Sequence, residues 1–515
     1  MQNATASHVP AGTPKTWRLG ILIAVVGLVA FAYTFQSFGS QGRAGVGIVT
    51  FFGIGALFSK NLRAVNWRTI FWGIVLQFAL AILILKVGYT RNLSAEELQA
   101  GQAERAAAMI GTGMTGPVSI LPIVAVEPPT TRFVRPVYLA FERVGDGIKA
   151  FIGYSDKGAE FVFGNLARPG DIALNPGKEF LFMFAFKALP PILFVSAFFT
   201  VLYHYGLLQI CVRLLAKVMV YLMGTSGAET LSVAANVFMG QTEAPLIVKP
   251  YVPRMTTSEL FTLMVSGMAH ISGGMMAVYI NYGADPVSVL TTCIMACPCS
   301  LYLAKLILPE VETPETSGAM AEAHTKSPYV NAVDAAAAGT GDGLRLALNV
   351  AAMLIVFVAF VAMFDGLLAL IPFEWINHQS WWPTSWHLDA PLSLQWIFGK
   401  LFSPVAMLMG VDPADQSKVG SLLGTKLAIN EHVAYLRMKT EYLPKHLMSD
   451  RSFKLAAFAL TGFANFASIG IQLGGIGAMA PDRRHDLARL GGKALFGGFL
   501  ATLLNASLAG ILIAE

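Results

Sequence analysis

The chain has 515 residues, 55% of them hydrophobic and only 13% charged, with a formal net charge of +5 and a mean hydropathy of +0.59. Soluble domains carry about 25% charged residues, so this composition excludes an ordinary water-soluble fold and points to a polytopic, all-α membrane protein. The positive excess is small and dispersed, which removes any case for a nucleic-acid partner.

In chain order, Lys15 and Arg18 precede a first apolar run that begins at Leu19 and has no small-residue cleavage site, so it reads as a retained span rather than a signal peptide. Apolar runs bounded by charge predict crossings near 19–38, 46–58, 69–86, 187–208, 258–283, 287–308, 344–371, 452–477 and 487–513, about nine in all. Lys60, Arg63 and Arg68 fill the connection after the second run, and with Lys15 and Arg18 they place the N-terminus in the cytoplasm. Nine crossings then leave the C-terminus outside.

Residues 87–186 form a polar connection. Within it Phe141, Val144, Ile148, Phe151 and Ile152 recur at helical spacing, which predicts an amphipathic helix lying on the membrane surface or packed on the bundle. Residues 309–343, opening PEVETPETSG, read as a linker. The expected organisation is therefore N-terminal helices over 1–86, the polar connection, a first half over 187–308, the linker, and a second half over 344–515.

Two interrupted apolar regions, about 215–250 and 395–440, are expected to be re-entrant hairpins, one in each half. YLMGTSGAE at 221–229 resembles MLMGVDPAD at 407–415. Each is followed by a glutamate at a break in the apolar pattern, Glu243 in GQTEAP and Glu431 in AINEHV, and then by SGMAHIS at 266–272 or TGFANFA at 461–467. The order of the three matches makes this a repeat, and the number of spans between the copies makes it an inverted one. Inverted repeats with discontinuous helices meeting near the midplane are the architecture of secondary transporters.

A carboxylate at the bilayer centre costs at least ~2.5–3.5 kcal/mol on insertion scales and needs partners or water. Pro245 favours a turn after Glu243. Gln241, Thr242 and Glu243 therefore read as a hairpin tip facing a polar cavity, the alternative being an extramembrane loop. Asn465 and Ser468 share a helical face, and Phe463 stands beside them. Such residues serve a polar ligand or act as hydrogen-bonding glue between helices. His270 reads as an ion- or proton-linked position or as a packing residue. Cys293, Cys297 and Cys299 flank Pro298 in CIMACPC, which suits a proline kink among small buried thiols better than a soft-metal site. No Walker A, dinucleotide or HExxH motif appears in a fitting context, which argues against ATP-driven transport within this chain.

From about residue 62 onward the chain resembles the concentrative nucleoside transporters. The resemblance rests on NWRTIFWGIVLQF at 66–78, GYSDKGAEFVFG at 153–164, LYHYGLLQ at 202–209, GTSGAETLSVAANVFMGQTEAPLIVKPYVP at 224–253, LAINEHVAY at 427–435 and GFANFASIGIQLGG at 462–475. It implies a homotrimer in the plasma (inner) membrane, set among lipids, that imports nucleosides by alternating access. Gln241, Thr242 and Glu243 would face the nucleobase, Glu431, Asn465 and Ser468 the ribose hydroxyls, and Phe463 would line the same pocket. The coupling ion would be held by Asn236 and the carbonyls of Met239 and Ile271. The intact frame around Asn236 implies Na⁺ as the coupling ion; His270 stands where the family has a Ser or Thr hydroxyl, which makes H⁺ the alternative, and no cofactor is implied. Changes around Gln241, Thr242 and Met275 would shift base preference. The rival classes are a membrane enzyme using Glu243 and Glu431 as an acid/base pair, and a channel or sensor.

Overall fold

The computed structural model describes residues 12–34, 39–92, 131–167, 186, 189–318, 329–379, 383, 386–444 and 446–513. Most of the 87–130 stretch therefore lies outside the described residues. An antiparallel pair of four-residue strands, β1 (Tyr89–Asn92) and β2 (Thr131–Val134), closes its two ends. All other regular structure among the described residues is helical.

Three helices open the chain: α1 (Lys15–Thr34), α2 (Gly39–Leu57) and α3 (Trp67–Leu85). Thr13 Oγ1 and an Arg18 guanidinium nitrogen both donate to the Ser59 carbonyl, at 3.1 and 3.2 Å, and Lys60 N–H donates to the Ile307 carbonyl at 2.8 Å. The basic start of α1, the α2–α3 connection and the end of a later helix thus share one end of the bundle. The amphipathic stretch lies within α4 (Pro136–Phe163). It packs on the bundle: Phe151 meets Phe194 and Phe198 at 4.5 Å between ring centroids.

The rest of the chain is built twice from the same series of elements. The first series is α5 (Leu189–His204), α6 (Leu207–Met223), α7 (Gly227–Ala235), an irregular tip leading into a 3₁₀ turn at Ala244–Val248, α8 (Thr257–Ala269), a break, α9 (Gly273–Asn281) and α10 (Pro286–Ile307). The second is α11 (Ala332–Ala369), a short α12 (Phe373–Asn377), α13 (Leu394–Leu408), α14 (Gln416–Ala428), α15 (Glu431–Arg437), α16 (Asp450–Leu460), a break, α17 (Phe466–Met479) and α18 (Arg484–Leu512). α11 begins at Ala332, inside the stretch expected as a linker, with Asn331 capping Val333 and Asp334 N–H groups. Its alanine- and glycine-rich first turns sit on α5, where Gly339 and Gly343 come so near Thr200, Ser196 and Leu193 that no Cβ fits. Small residues drive such close helix pairing in the absence of a hydrophobic force between spans.

Among the described residues, five helical stretches are long and apolar enough to cross a membrane: Lys15–Thr34, Trp67–Leu85, Thr257–Asn281, Pro286–Ile307 and Pro481–Leu512. α5 and α6 would make a sixth only as a pair bent by 73°. About nine crossings were expected; among the described residues several of those apolar runs are divided between shorter helices. α10 forms the centre of the bundle, buried along almost its whole length with Pro298 inside it.

The quoted repeat has a structural cause. Met223-Gly224 and Met409-Gly410 end α6 and α13, and both glycines are left-handed, with φ of 68° and 81°. A glycine pays no Cβ penalty there and turns the chain into the next helix. In the first half, capping boxes follow: Ser226 with Glu229 opens α7, and Thr256 with Glu259 opens α8. The two helix starts are bound together, since Ser226 Oγ also donates to Glu259. Lys305 of α10 reaches Glu229 at 2.8 Å and Glu310 at 3.1 Å. Removing one partner of a buried ion pair strands the other. Lys305→Met is expected to destabilise the fold by ~3–5 kcal/mol, read as a lower thermal unfolding midpoint, and an unchanged midpoint would refute this role.

Candidate functional site

The site forms where the two broken helices meet. α8 ends at Ala269, His270 is extended, and Ser272 caps α9 by accepting from Met275 N–H. α16 ends at Leu460, and Asn465 caps α17 by accepting from Ser468 N–H at 2.9 Å. The breaks bind each other: Phe463 N–H donates to the His270 carbonyl at 3.0 Å. Gly462 makes the approach possible. At φ 145°, a Cβ there would stand 3.0 Å from the Ala269 carbonyl oxygen and 2.7 Å from Thr502 Cγ2.

The tip between α7 and the 3₁₀ turn docks on this junction. Gly273 N–H donates to the Phe238 carbonyl at 2.9 Å, and Thr242 packs on Gly475 so closely that a Cβ would lie 2.5 Å from its methyl. Glu243 folds back on its own turn, accepting from Gly240 N–H at 2.9 Å. From the tip a polar chain runs into the second half. Gln241 Nε2 donates to Ser468 Oγ (3.2 Å), Ser468 Oγ donates to Asn465 Oδ1 (3.2 Å), and Asn465 Nδ2 donates to Glu431 (2.9 Å). Tyr279 of α9 donates to the other oxygen of Glu431 at 2.9 Å. Gln241 Oε1 is a buried acceptor without a partner among the described residues.

Along this chain opens a cavity of about 550 Å³. Gln241, Thr242, Glu243, Glu431, Phe463, Asn465 and Ser468, the seven substrate candidates from the sequence, all line it. So do Met275 and His432, and also Ser196 and Asp342, which come from α5 and α11. Sequence reasoning missed Tyr279 altogether. Its signal was faint, a tyrosine in an apolar span, and its meaning comes only from Glu431 being 152 residues away in the chain and 2.9 Å away in space. Asp342 lay in the stretch taken for a linker.

The four ion-site candidates divide into two groups. Asn236 Nδ2 donates to the Ser232 carbonyl at 3.2 Å and to Ser266 Oγ at 3.0 Å, which leaves Oδ1 buried and, among the described residues, unpartnered. That orphaned oxygen is the donor chemistry a hard cation takes, as are the main-chain carbonyls of the other two oxygen candidates, Met239 and Ile271. The His270 ring is occupied elsewhere. Nδ1 meets the Ser266 carbonyl at 2.8 Å and Nε2 meets Cys297 Sγ at 3.4 Å, so the imidazole ties α8 to α10. The hydroxyl beside Asn236 is supplied by Ser266, one turn earlier than His270. The CIMACPC cysteines are buried, and among the described residues no three His, Cys, Asp or Glu side chains gather as a metal group.

Two carboxylates, an amide relay and an orphaned oxygen at paired helix breaks define a substrate-translocating membrane protein of the broken-helix class. Comparison with known proteins specifies it further. Family models described as Na⁺ dependent nucleoside transporter N-terminus, nucleoside recognition and Na⁺ dependent nucleoside transporter C-terminus match residues 46–95, 185–285 and 288–510. An uncharacterized transporter of Haemophilus influenzae is 36% identical over 471 residues, covering 91% of this chain and 97% of that one. The sodium/nucleoside cotransporter 1 of Mus musculus is 35% identical over 88% of this chain, which spans 61% of that protein's length. The structure of CNTnw in an inward-facing substrate-bound state aligns with a TM-score of 0.71 at 33% identity, covering 91% of this chain and 97% of CNTnw. A CNTnw variant in an outward-facing state aligns equally well, at 0.71 and 32% identity. The chain belongs to the concentrative nucleoside transporter family. That family consists of transporters, so Glu243 and Glu431 are not an enzyme's acid/base pair.

Hydrogen bonds to charged groups are worth ~1.5–3 kcal/mol. Tyr279→Phe is therefore expected to weaken nucleoside binding by roughly tenfold or more, measured calorimetrically on the purified protein. Unchanged affinity would reduce Tyr279 to its stacking on Tyr435, whose ring centroid is 4.2 Å away.

Proposed function

We propose that this chain is a secondary active importer of nucleosides, driven by Na⁺ and working by alternating access. The observation that carries the reading is the continuous relay from Gln241 to Glu431 along one cavity. It joins the tip of the first half to the second half through groups that match a neutral, hydroxyl-rich ligand. A carboxylate accepts from vicinal hydroxyls, while Gln241, Asn465 and Ser468 both donate and accept. The nucleobase lies towards Gln241, Thr242 and Glu243, and the ribose towards Glu431, Asn465 and Ser468, with Phe463 against the ligand's face. A bound nucleoside satisfies Gln241 Oε1, a group costly to leave unpaired.

The ion occupies the space beside Asn236 Oδ1, with the carbonyls of Met239 and Ile271 and the Ser266 hydroxyl as further oxygens. His270 fixes that corner through its Cys297 and Ser266 contacts. A nucleoside is neutral, so inward movement of the cation supplies the drive, about 2.3 kcal/mol per charge per 100 mV. Binding is reciprocal: the ion orders the tip that carries Gln241, and so raises nucleoside affinity. The tip regions are two re-entrant hairpins of an inverted repeat. The protein lies in the plasma (inner) membrane as a homotrimer with a cytoplasmic N-terminus, consistent with the shared end formed by Arg18 and Lys60.

Reconstituted into liposomes, the protein is expected to accumulate labelled uridine or adenosine against its gradient when Na⁺ is high outside, and to return it chemically unchanged. Uptake that ignores Na⁺ removal would overturn the coupling, and a converted product would overturn the transport reading. Asn236→Ala is expected to raise the Na⁺ concentration for half-maximal uptake by about tenfold, the equivalent of one charge-assisted contact of ~1.4 kcal/mol. An unshifted Na⁺ dependence would move the ion elsewhere.

A further inference from the structure

Lys426 is a buried cation that the transport reading above leaves unused. It sits in the last turn of α14, wholly shielded from solvent. Its ammonium donates to the Ala459 carbonyl at 2.7 Å and to Thr502 Oγ1 at 3.1 Å, with the Phe499 ring centroid at 5.6 Å. Among the described residues, no carboxylate forms an ion pair with it. A buried charge held only by neutral groups is expensive, so its retention calls for an account.

The account begins with the break in the second half. In a continuing helix the Ala459 carbonyl would accept from Phe463 N–H. That N–H is spent on His270, so the break orphans the carbonyl. The C-terminal end of α16 also carries the negative end of the helix dipole. A cation is the natural partner for such an end, and in broken-helix transporters unwound carbonyls and half-helix C-termini hold the coupling ion. In the first half, Ser266 in the last turn of α8 bonds to Asn236, whose open oxygen the proposed function assigns to the exchangeable ion. In the second half, the end of α16 already has a cation attached to the chain. Tyr435 adds to the same cap, bonding to the Ala457 carbonyl and Thr461 Oγ1, both at 2.8 Å.

Lys426 also bears on Glu431. Only Ile429 and Asn430 separate the end of α14 from Glu431, which opens α15, and the charges of Lys426 and Glu431 act on each other through the interior. The two residues grip opposite sides of one break, Lys426 at the end of α16 and Glu431 at Asn465, the cap of α17.

We propose that Lys426 is a tethered cation, the second half's fixed counterpart of the exchangeable ion in the first. It is a positioning residue: it neutralises the broken end of α16 and compensates Glu431, so that this carboxylate is presented to the substrate's hydroxyl groups. The inference rests on the nucleoside reading.

The test separates charge from hydrogen bonding on the purified full-length protein at saturating Na⁺. Dissociation constants are measured for uridine and for 2′,3′-dideoxyuridine, which lacks the hydroxyls assigned to Glu431. Wild type is expected to favour uridine by ~10–100-fold, the worth of hydrogen bonds to a charged group. Lys426→Gln keeps a donor for Ala459 but removes the charge. It should weaken uridine by at least about tenfold and leave the dideoxy compound nearly unchanged, while Lys426→Arg keeps the wild-type preference. A Lys426→Gln protein with the wild-type ratio overturns the proposal, as does equal weakening of both ligands or an Arg variant that behaves like Gln. If those variants misfold, Thr502→Val removes a neutral partner and keeps the charge. Preserved discrimination there supports the proposal, and lost discrimination overturns it. Wild-type protein that binds neither compound sinks the nucleoside reading, and the role of Lys426 with it.

Discussion

The hydrogen bond from Phe463 N–H to the His270 carbonyl is the contact on which the rest of the site depends. Each half of the chain breaks a helix in the bundle interior, where water is not at hand to satisfy free backbone groups. Open backbone there is tolerated only if protein or a polar cavity satisfies it. The two breaks meet the requirement partly through each other, which is why they must be adjacent. Gly462 has no side chain because the end of α8 occupies the space where one would stand. The groups left over after this pairing become functional. Ser272 and Asn465 cap the following half-helices, and the amide that Asn465 has to spare holds Glu431.

A second constraint is the handling of charge in a dry interior. At one end, the glutamates of two capping boxes share Ser226, and Lys305 is ion-paired to Glu229 and Glu310, so three elements are bound by compensated ions. None of these residues lines the cavity. Glu431 has a different solution, neutral donors from Tyr279 and Asn465 with a lysine at electrostatic range. A carboxylate held by neutral donors can exchange or add partners at lower cost than one locked in an ion pair, which suits a group that must receive and release a ligand. The same division appears in the first half, where Asn236 uses both amide hydrogens on Ser232 and Ser266 and keeps its oxygen open.

Much of the site was legible because its residues break patterns. Glu243 and Glu431 interrupt apolar runs, and GFANFASIG places a cap and its partner three residues apart. The short repeat around Met223-Gly224 and Met409-Gly410 survives in sequence since both positions need a left-handed glycine. His270 was the instructive case. A titratable ring in an apolar span invites a direct role, yet the ring points to Cys297 and the Ser266 carbonyl, and the hydroxyl bonded to Asn236 belongs to Ser266. The direction of a side chain leaving an extended residue follows from its neighbours, here Ser266 one turn back on α8 and Cys297 on α10.

By itself the sequence determined the class of molecule and the chemistry available to it: too few charges for water, two carboxylates at helix breaks, and glycines where the chain must turn. These are local properties, written in composition, periodicity and the φ values that particular residues allow. Only the tertiary structure decided which breaks face each other, that Tyr279 serves Glu431, that Asp342 of α11 reaches the cavity, and that Lys426 caps α16 rather than pairing with an acid. Those choices set residues from 33 positions apart (Lys426 and Ala459) to 193 positions apart (His270 and Phe463) against one another. They are settled by satisfying every buried polar group at once, a condition that no stretch of sequence contains.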